Sequence, residues 1–236
     1  QVRIPQEKTE CMVGFSVEAI VAALGGTLDP LLGAIKSGAI KGIGAVVGCN
    51  NVKVQHDYGH VRLVEELIRN DVLVVTTGCN AIATAKAGLM LPEAAERAGA
   101  GLKAVCQALG IPPVLHMGSC VDNARIIHLA AALADYLGVD IDALPLAGAA
   151  PEWYSEKAVS IGTYVVASGI TTVLGVQPPV FGSPNVVNLL TSGLDGVVGA
   201  TFQVIPDPVE AATMIRRHIE TKRAGLGLPT IEVPDV

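Results

Sequence analysis

Aromatic side chains are scarce in this sequence, at 3% of 236 residues, and charged ones make up only 16%. The interior must therefore be built from Ala, Val, Leu, Ile and Gly, within a hydrophobic share of 50%. That vocabulary belongs to an α/β fold whose parallel sheet is covered on both faces, so that its strands read as continuous apolar runs. Basic residues are outnumbered, 16 Lys and Arg against 22 Asp and Glu, for a net charge of -6. No basic stripe is available to neutralise phosphates, which excludes nucleic acid as a partner. Long unbroken apolar segments are missing as well. The charge-free stretch 158–194 is interrupted by Gly162, Gly169, Gly175, Pro178, Pro179 and Pro184, so it reads as buried helix, strand and loop, not as a membrane span. No basic n-region with an apolar h-region opens the sequence, and the expectation is a cytoplasmic protein without a signal peptide.

Also absent is any CxxC pair among the five cysteines, so neither a local zinc knuckle nor, in an intracellular chain, a disulfide framework is expected. What is present is a placement. The apolar run 43–48 leads into Cys49, the run 72–78 into Cys79 and the run 112–119 into Cys120, each cysteine preceded by Gly or Gly-Ser. Helical patterns follow over 58–70, 81–90 and 123–137. Two further strands are read at 171–176 and 197–204, and three further helices at 15–26, 151–169 and 208–225. Alternation at this spacing implies βαβ units with right-handed crossovers. With no repeat, linker or composition break, residues 1–236 read as one Rossmann-like domain, α/β and doubly wound around a mostly parallel sheet.

Ligands of such sheets bind beyond the carboxyl ends of the strands. Thiols placed there face helix N-termini, which lower a thiol pKa and favour the thiolate that binds soft metals. One cysteine alone is commonly a small buried hydrophobe. Three at equivalent strand ends read as a ligand set closed by tertiary structure, suited to an iron-sulfur cluster with a fourth ligand still to be found. Cys106, mid-helix among apolar residues, reads as core, and Cys11 as structural. His56 and His60 lack the Glu of a zinc-hydrolase helix and read as surface or hydrogen-bonding residues, while His116 reads as a hydrogen-bonded core histidine. KGIGAVVG does not match the dinucleotide fingerprint. Lys157 has two readings: a snorkelling surface lysine, or a cation at an unfavourable helix N-terminus that reaches into the crevice.

The motifs GCNN (48–51), DVLVVTTGCNAIATAKAGL (71–89), PPVLHMGSCVDNARI (112–126) and WYSEKAVSIG (153–162) resemble, in order and spacing, the C-terminal domain of the anaerobic nickel-iron-sulfur carbon monoxide dehydrogenases. The resemblance implies the last third of a longer chain. It implies that Cys49 and Cys79 hold irons of a NiFe4S4 cluster, that Cys120 holds nickel, that Lys157 contacts bound CO2 or carboxylate, and that Ile161 crowds the open face of the nickel. The remaining ligands, a histidine and two cysteines, would precede this segment, as would additional 4Fe-4S clusters. The implied reaction is reversible oxidation of CO with water to CO2, with electrons passed to a ferredoxin-like acceptor by a homodimer of the full-length protein. Two alternatives stand beside it. The hybrid-cluster proteins share a similar cysteine set but carry a glutamate where this chain has Ser155. The other alternative is an isolated, non-catalytic Rossmann-like module with no complete cluster.

Overall fold

The computed structural model describes Gln6 and residues 8–235. Six strands form one sheet: β1 (Gly42–Val46), β2 (Val72–Thr77), β3 (Val114–Gly118), β4 (Leu146–Ala150), β5 (Thr172–Leu174) and β6 (Phe202–Val204). Their order is β3-β2-β1-β4-β5-β6 and every pairing is parallel. Strand order therefore reverses between β1 and β4, where Ile43 pairs with Leu146 and Val46 with Ala149.

The fold class is as expected, but the sequence reading names five strands and omits β4. Its residues, LAGAA, are all buried yet include no β-branched or aromatic side chain. Close approach explains the composition, since a Cβ on Gly148 would lie 2.8 Å from the Thr172 hydroxyl oxygen on β5.

Helices α3 (Tyr58–Arg69) and α10 (Pro208–Gly225) pack together over one face of the sheet. Gly42 and Gly44 of β1 look that way, where a Cβ would meet Ile219 of α10 and Leu67 of α3. Alternation sends Ala45 and Val47 to the other face, toward Ile126 and Ile127 of α6 (Asn123–Leu137) and Val165 of α7 (Glu156–Ala167). Helices α1 (Val17–Ala23), α2 (Asp29–Ser37) and α5 (Ala100–Leu109) complete this second layer, and α4 (Gly78–Lys86) follows β2 directly.

Sequence explains these ends locally. Helix α10 begins with an Asp207 side chain capping Val209 and Glu210 at 2.8 and 3.0 Å, with Pro208 next to it, and α6 stops at Gly138 in the left-handed conformation. The core is aliphatic: Leu63, Val64, Leu67, Val74, Leu102, Ile215 and Ile219 are each at most 1% exposed, and burying one such side chain contributes about 1.5–3 kcal/mol.

Three expectations are corrected. The helix at 151–169 starts only at Glu156, and of its residues only Val166 is fully buried. The segment after β5 is not buried either: α8 (Pro184–Asn188), a π turn (Leu189–Gly193) and α9 (Asp195–Val198) leave Phe181, Val186, Leu189 and Val197 exposed. Absence of charge signalled burial, but among the described residues nothing packs on these outer faces. Finally, the strand expected over 197–204 shortens to β6, because Asp195–Val198 is helical.

Candidate metal-cluster site

All three strand-end cysteines lie at the carboxyl edge of the sheet, on the side of the β1/β4 switch. Each is half-buried. Cys49 follows Gly48, whose φ of 117° turns the chain sharply after β1. Its Sγ lies 3.9 Å from the Ser155 hydroxyl, which stands just before α7 on the far side of the switch.

Cys79 is the second residue of α4, and its amide donates to the Gly48 carbonyl at 3.0 Å. Cys120 opens a 3-10 turn (Cys120–Asp122) fixed by a reciprocal capping box, in which the Asp122 carboxylate accepts from the Ser119 amide at 2.8 Å and its hydroxyl at 3.0 Å. Gly78 joins these turns. A Cβ there would sit 2.6 Å from the Cys120 sulfur and 3.2 Å from the Gly48 carbonyl oxygen, and φ is +65°. The three cysteine turns thus close on one another at a point that admits no side chain.

Asparagines hold the turns. The Asn80 amide donates to the Val46 carbonyl at 2.9 Å and to the Thr76 hydroxyl at 2.6 Å, tying the start of α4 to the ends of β1 and β2. Thr77 donates to Asn123 at the start of α6, and Asn51 donates to the Trp153 carbonyl at 2.8 Å. All of these amides are buried, so each bond satisfies a group that would otherwise be costly to leave unpaired.

Cys49 and Cys120 line a cavity of about 50 Å³ together with Trp153, Lys157 and Ile161. The lining is almost wholly apolar, with the thiols and Lys157 as its chemical groups. Lys157 is the second residue of α7, exposed as a whole and among the residues that line this cavity.

The expected depression of thiol pKa by a helix N-terminus fails at Cys79. Burial holds that thiol above its ordinary range, opposed by the Asn50 amide, with Cys120 and Cys49 raising it further and Lys157 pulling it down. Clustered thiols resist ionising beside one another, and a single lysine does not outweigh the cost. The donor set therefore fits a group that brings its own positive charge: soft sulfur ligands from three chain segments around a small apolar space. Among the described residues, no three His, Cys, Asp or Glu side chains form a group that could by itself hold a metal ion.

The other expectations divide. Cys106 is core, 1% exposed on α5, with burial pushing its thiol up to about 12. Cys11 is exposed. His116 is half-buried in β3, and no hydrogen bond reaches its ring within the described residues; burial lowers its basicity against the pull of Asp122, so the expected hydrogen-bonded core role is not met.

His60 is completely buried, its Nε2 2.7 Å from the Cys49 carbonyl oxygen, and burial lowers its basicity against Glu152. Sequence reasoning gave His60 no part in the site and passed over Asn50 and Glu152. The available signal for His60 was its phase, since it shares one α3 face with Leu63, Val64 and Leu67.

Residues 3–209 match the Prismane/CO dehydrogenase family. A carbon monoxide dehydrogenase of Methanosarcina mazei is 70% identical over 228 residues, which is 97% of this chain and 36% of that relative. Carbon monoxide dehydrogenase 2 of Carboxydothermus hydrogenoformans is 46% identical over 242 residues, covering 97% and 38% respectively. Among solved structures, a nickel-free carbon monoxide dehydrogenase from Thermococcus sp. AM4 superposes with a TM-score of 0.95 at 60% identity, over 97% of this chain and 36% of that one. The chain thus spans little more than a third of the relatives it matches. With three cysteine turns at the carboxyl edge of a doubly wound sheet and a match over most of its length, this chain belongs to the Prismane/CO dehydrogenase family.

Proposed function

We propose that this chain is one Rossmann-like cluster-binding unit, residues 1–236, of a longer carbon monoxide dehydrogenase that oxidises CO with water to CO2, releasing two protons and two electrons. One observation carries the reading: Cys49 and Cys120, from two strand ends, share the lining of a small apolar cavity with Lys157 and Ile161, and Cys79 stands on the turn next to them. Relatives such as that of Methanosarcina mazei are carbon monoxide dehydrogenases, and another solved relative, 40% identical, is an acetyl-CoA synthase/carbon monoxide dehydrogenase with NiZn[Fe4S4] and NiNi[Fe4S4] clusters in its alpha subunits.

Cys49 and Cys79 would hold irons and Cys120 nickel of a NiFe4S4 cluster, with the remaining ligands and further 4Fe-4S clusters supplied by the rest of the protein. When bound, that group supplies Lewis acidity and the capacity to accept two electrons. The chain's own residues do the rest. The apolar lining excludes bulk water, which strengthens any charge interaction inside. Ile161 narrows the space available to a substrate, so a small linear molecule is admitted and a bulky one is not. Lys157, in the cavity lining, would stabilise negative charge developing on substrate oxygen and orient CO2 in the reverse direction. The remainder of the proposal follows from family likeness: a ferredoxin-like electron acceptor, a homodimer and a cytoplasmic location.

The test is Lys157→Ala in the full-length protein, with CO oxidation followed by dye reduction and nickel and iron measured on the same sample. Loss of one preorganised charge donor is expected to slow turnover by about 10²–10³-fold with metal content unchanged. Near-normal turnover with intact metal removes Lys157 from the mechanism, and wild-type protein without nickel overturns the reading as a whole.

A further inference from the structure

Glu152 lies in the short segment between β4 and α7, and its side chain is 1% exposed. A carboxylate in such a place is costly unless donors surround it. Four groups do. Oε2 accepts from the Asn50 side-chain amide at 2.9 Å and the Asp57 backbone amide at 3.2 Å, Oε1 accepts from the Gly59 amide at 3.0 Å, and His60 Nε2 lies 3.9 Å away. No Lys or Arg pairs with it among the described residues.

Helix α3 explains part of this. Asp57 stands at its N-cap with φ of 65° and offers no capping bond of its own, so Glu152 satisfies two amides of that helix start from 95 and 93 residues away. A local Ser or Asp would cap a helix as well. What a local cap could not do is join the Cys49 turn to the loop that leads into α7. Asn50 is shared between Glu152 and Asp57, which itself pairs with Lys86 of α4. His60, beside Glu152, donates to the Cys49 carbonyl and leaves its Nδ1 buried without a partner. The Asn50 backbone amide in turn reaches the Cys79 thiol. Two branches of the network, through Asn50 and through His60, end at the Cys49 turn.

We propose that Glu152 is a positioning residue for the cluster thiols, clamping the turn at Cys49 and Asn50 through Asn50 and His60. The proposal rests on the functional reading above only for the identity of the metal group; the clamp itself is a statement about the protein.

The test uses full-length protein carrying Glu152→Gln, His60→Ala, His60→Gln or, as a control, Ile219→Ala in the distant α10 core. Two quantities are read well below each melting temperature: the rate at which a chelator strips iron and nickel from loaded protein, and the rate at which iodoacetamide labels Cys49 in metal-free protein. Glu152→Gln turns an amide donor against the Asn50 and Asp57 donors. Loss of such outer support is expected to speed metal release by about 10–100-fold in Glu152→Gln and His60→Ala. Cys49 labelling accelerates in the same two variants. His60→Gln, which keeps a donor near the Nε2 position, stays close to wild type, and Ile219→Ala changes neither rate despite its lower melting temperature. Wild-type rates in Glu152→Gln, or equal acceleration in Ile219→Ala, overturn the proposal. Wild-type protein without nickel but with the stated order of Cys49 labelling overturns the functional reading and leaves the clamp supported.

Discussion

Replacing Gly78 by Ala tests the claim that three cysteine turns meet at a point with no room for a side chain. Two costs are separable. A non-glycine residue at φ +65° occupies the left-handed region, at about 1–2 kcal/mol. The new methyl would also lie 2.6 Å from the Cys120 sulfur, whereas non-bonded heavy atoms settle at roughly 3.5–4.0 Å. Sulfur or helix must therefore shift by roughly 1 Å, and overpacking of this kind costs about 1–3 kcal/mol when the surroundings resist. Because Cys120 is half-buried and begins a short turn, the sulfur yields more readily than α4. Most of the damage should then appear in ligand geometry and less of it in stability.

Gly88 supplies the comparison, with φ +70° and nothing within 4 Å of its Cβ position, so Gly88→Ala carries the backbone cost alone. Urea unfolding of the chain should show both variants destabilised by about 1–2 kcal/mol or slightly more. In the full-length protein, Gly78→Ala should lose nickel and iron while Gly88→Ala keeps them. If the two variants cannot be told apart in unfolding midpoint and metal content, the argument from steric closure is wrong.

Core packing, thiol chemistry and acid sensitivity give further checks. Leu67→Ala, at a fully buried α3 position, should cost about 2–5 kcal/mol in urea unfolding, and a loss under 1 kcal/mol would contradict the packing described. With its thiol pushed up to about 12, Cys106 stays protonated at pH 8, so iodoacetamide should label it only after unfolding while exposed Cys11 reacts at once; prompt labelling in native protein would disprove the burial. His218 is lowered by burial to about 4, whereas an unfolded histidine titrates at 6.5. Between those values the unfolded chain binds a proton that the folded chain refuses, so stability contributed by His218 is present above pH 6.5 and is lost as pH falls toward 4. His218→Gln should flatten the pH dependence of the urea midpoint across that window, and an unchanged slope would assign the acid sensitivity elsewhere.

The cysteine placement was legible because each of three strands is a continuous apolar run that stops at a glycine, a pattern local in sequence and diagnostic of a covered parallel sheet. Strand β4 escaped because its Ala-Gly composition answers to a crowded neighbour strand, which no local window contains. Lack of charge misled over residues 177–194, where Phe181, Val186 and Leu189 stay exposed although no charge marks the surface. Glu152 was invisible for a related reason: its role is defined by partners about a hundred residues away, and a lone Glu beside a Trp carries no mark of that. At Cys79 the error was one of magnitude, since dehydration and neighbouring thiols outweigh a helix end.

The reversal of strand order between β1 and β4 also has a temporal side. β1, β2 and β3 with Cys49, Cys79 and Cys120 occupy one contiguous stretch, while the segment bearing Lys157 follows β4, which returns across that stretch to pair with β1 from the other side. Contacts between distant segments form at greater entropic cost than near ones. Pairing β1 with a strand about a hundred residues further on adds non-local contact, which slows folding relative to a sheet built only from sequence neighbours.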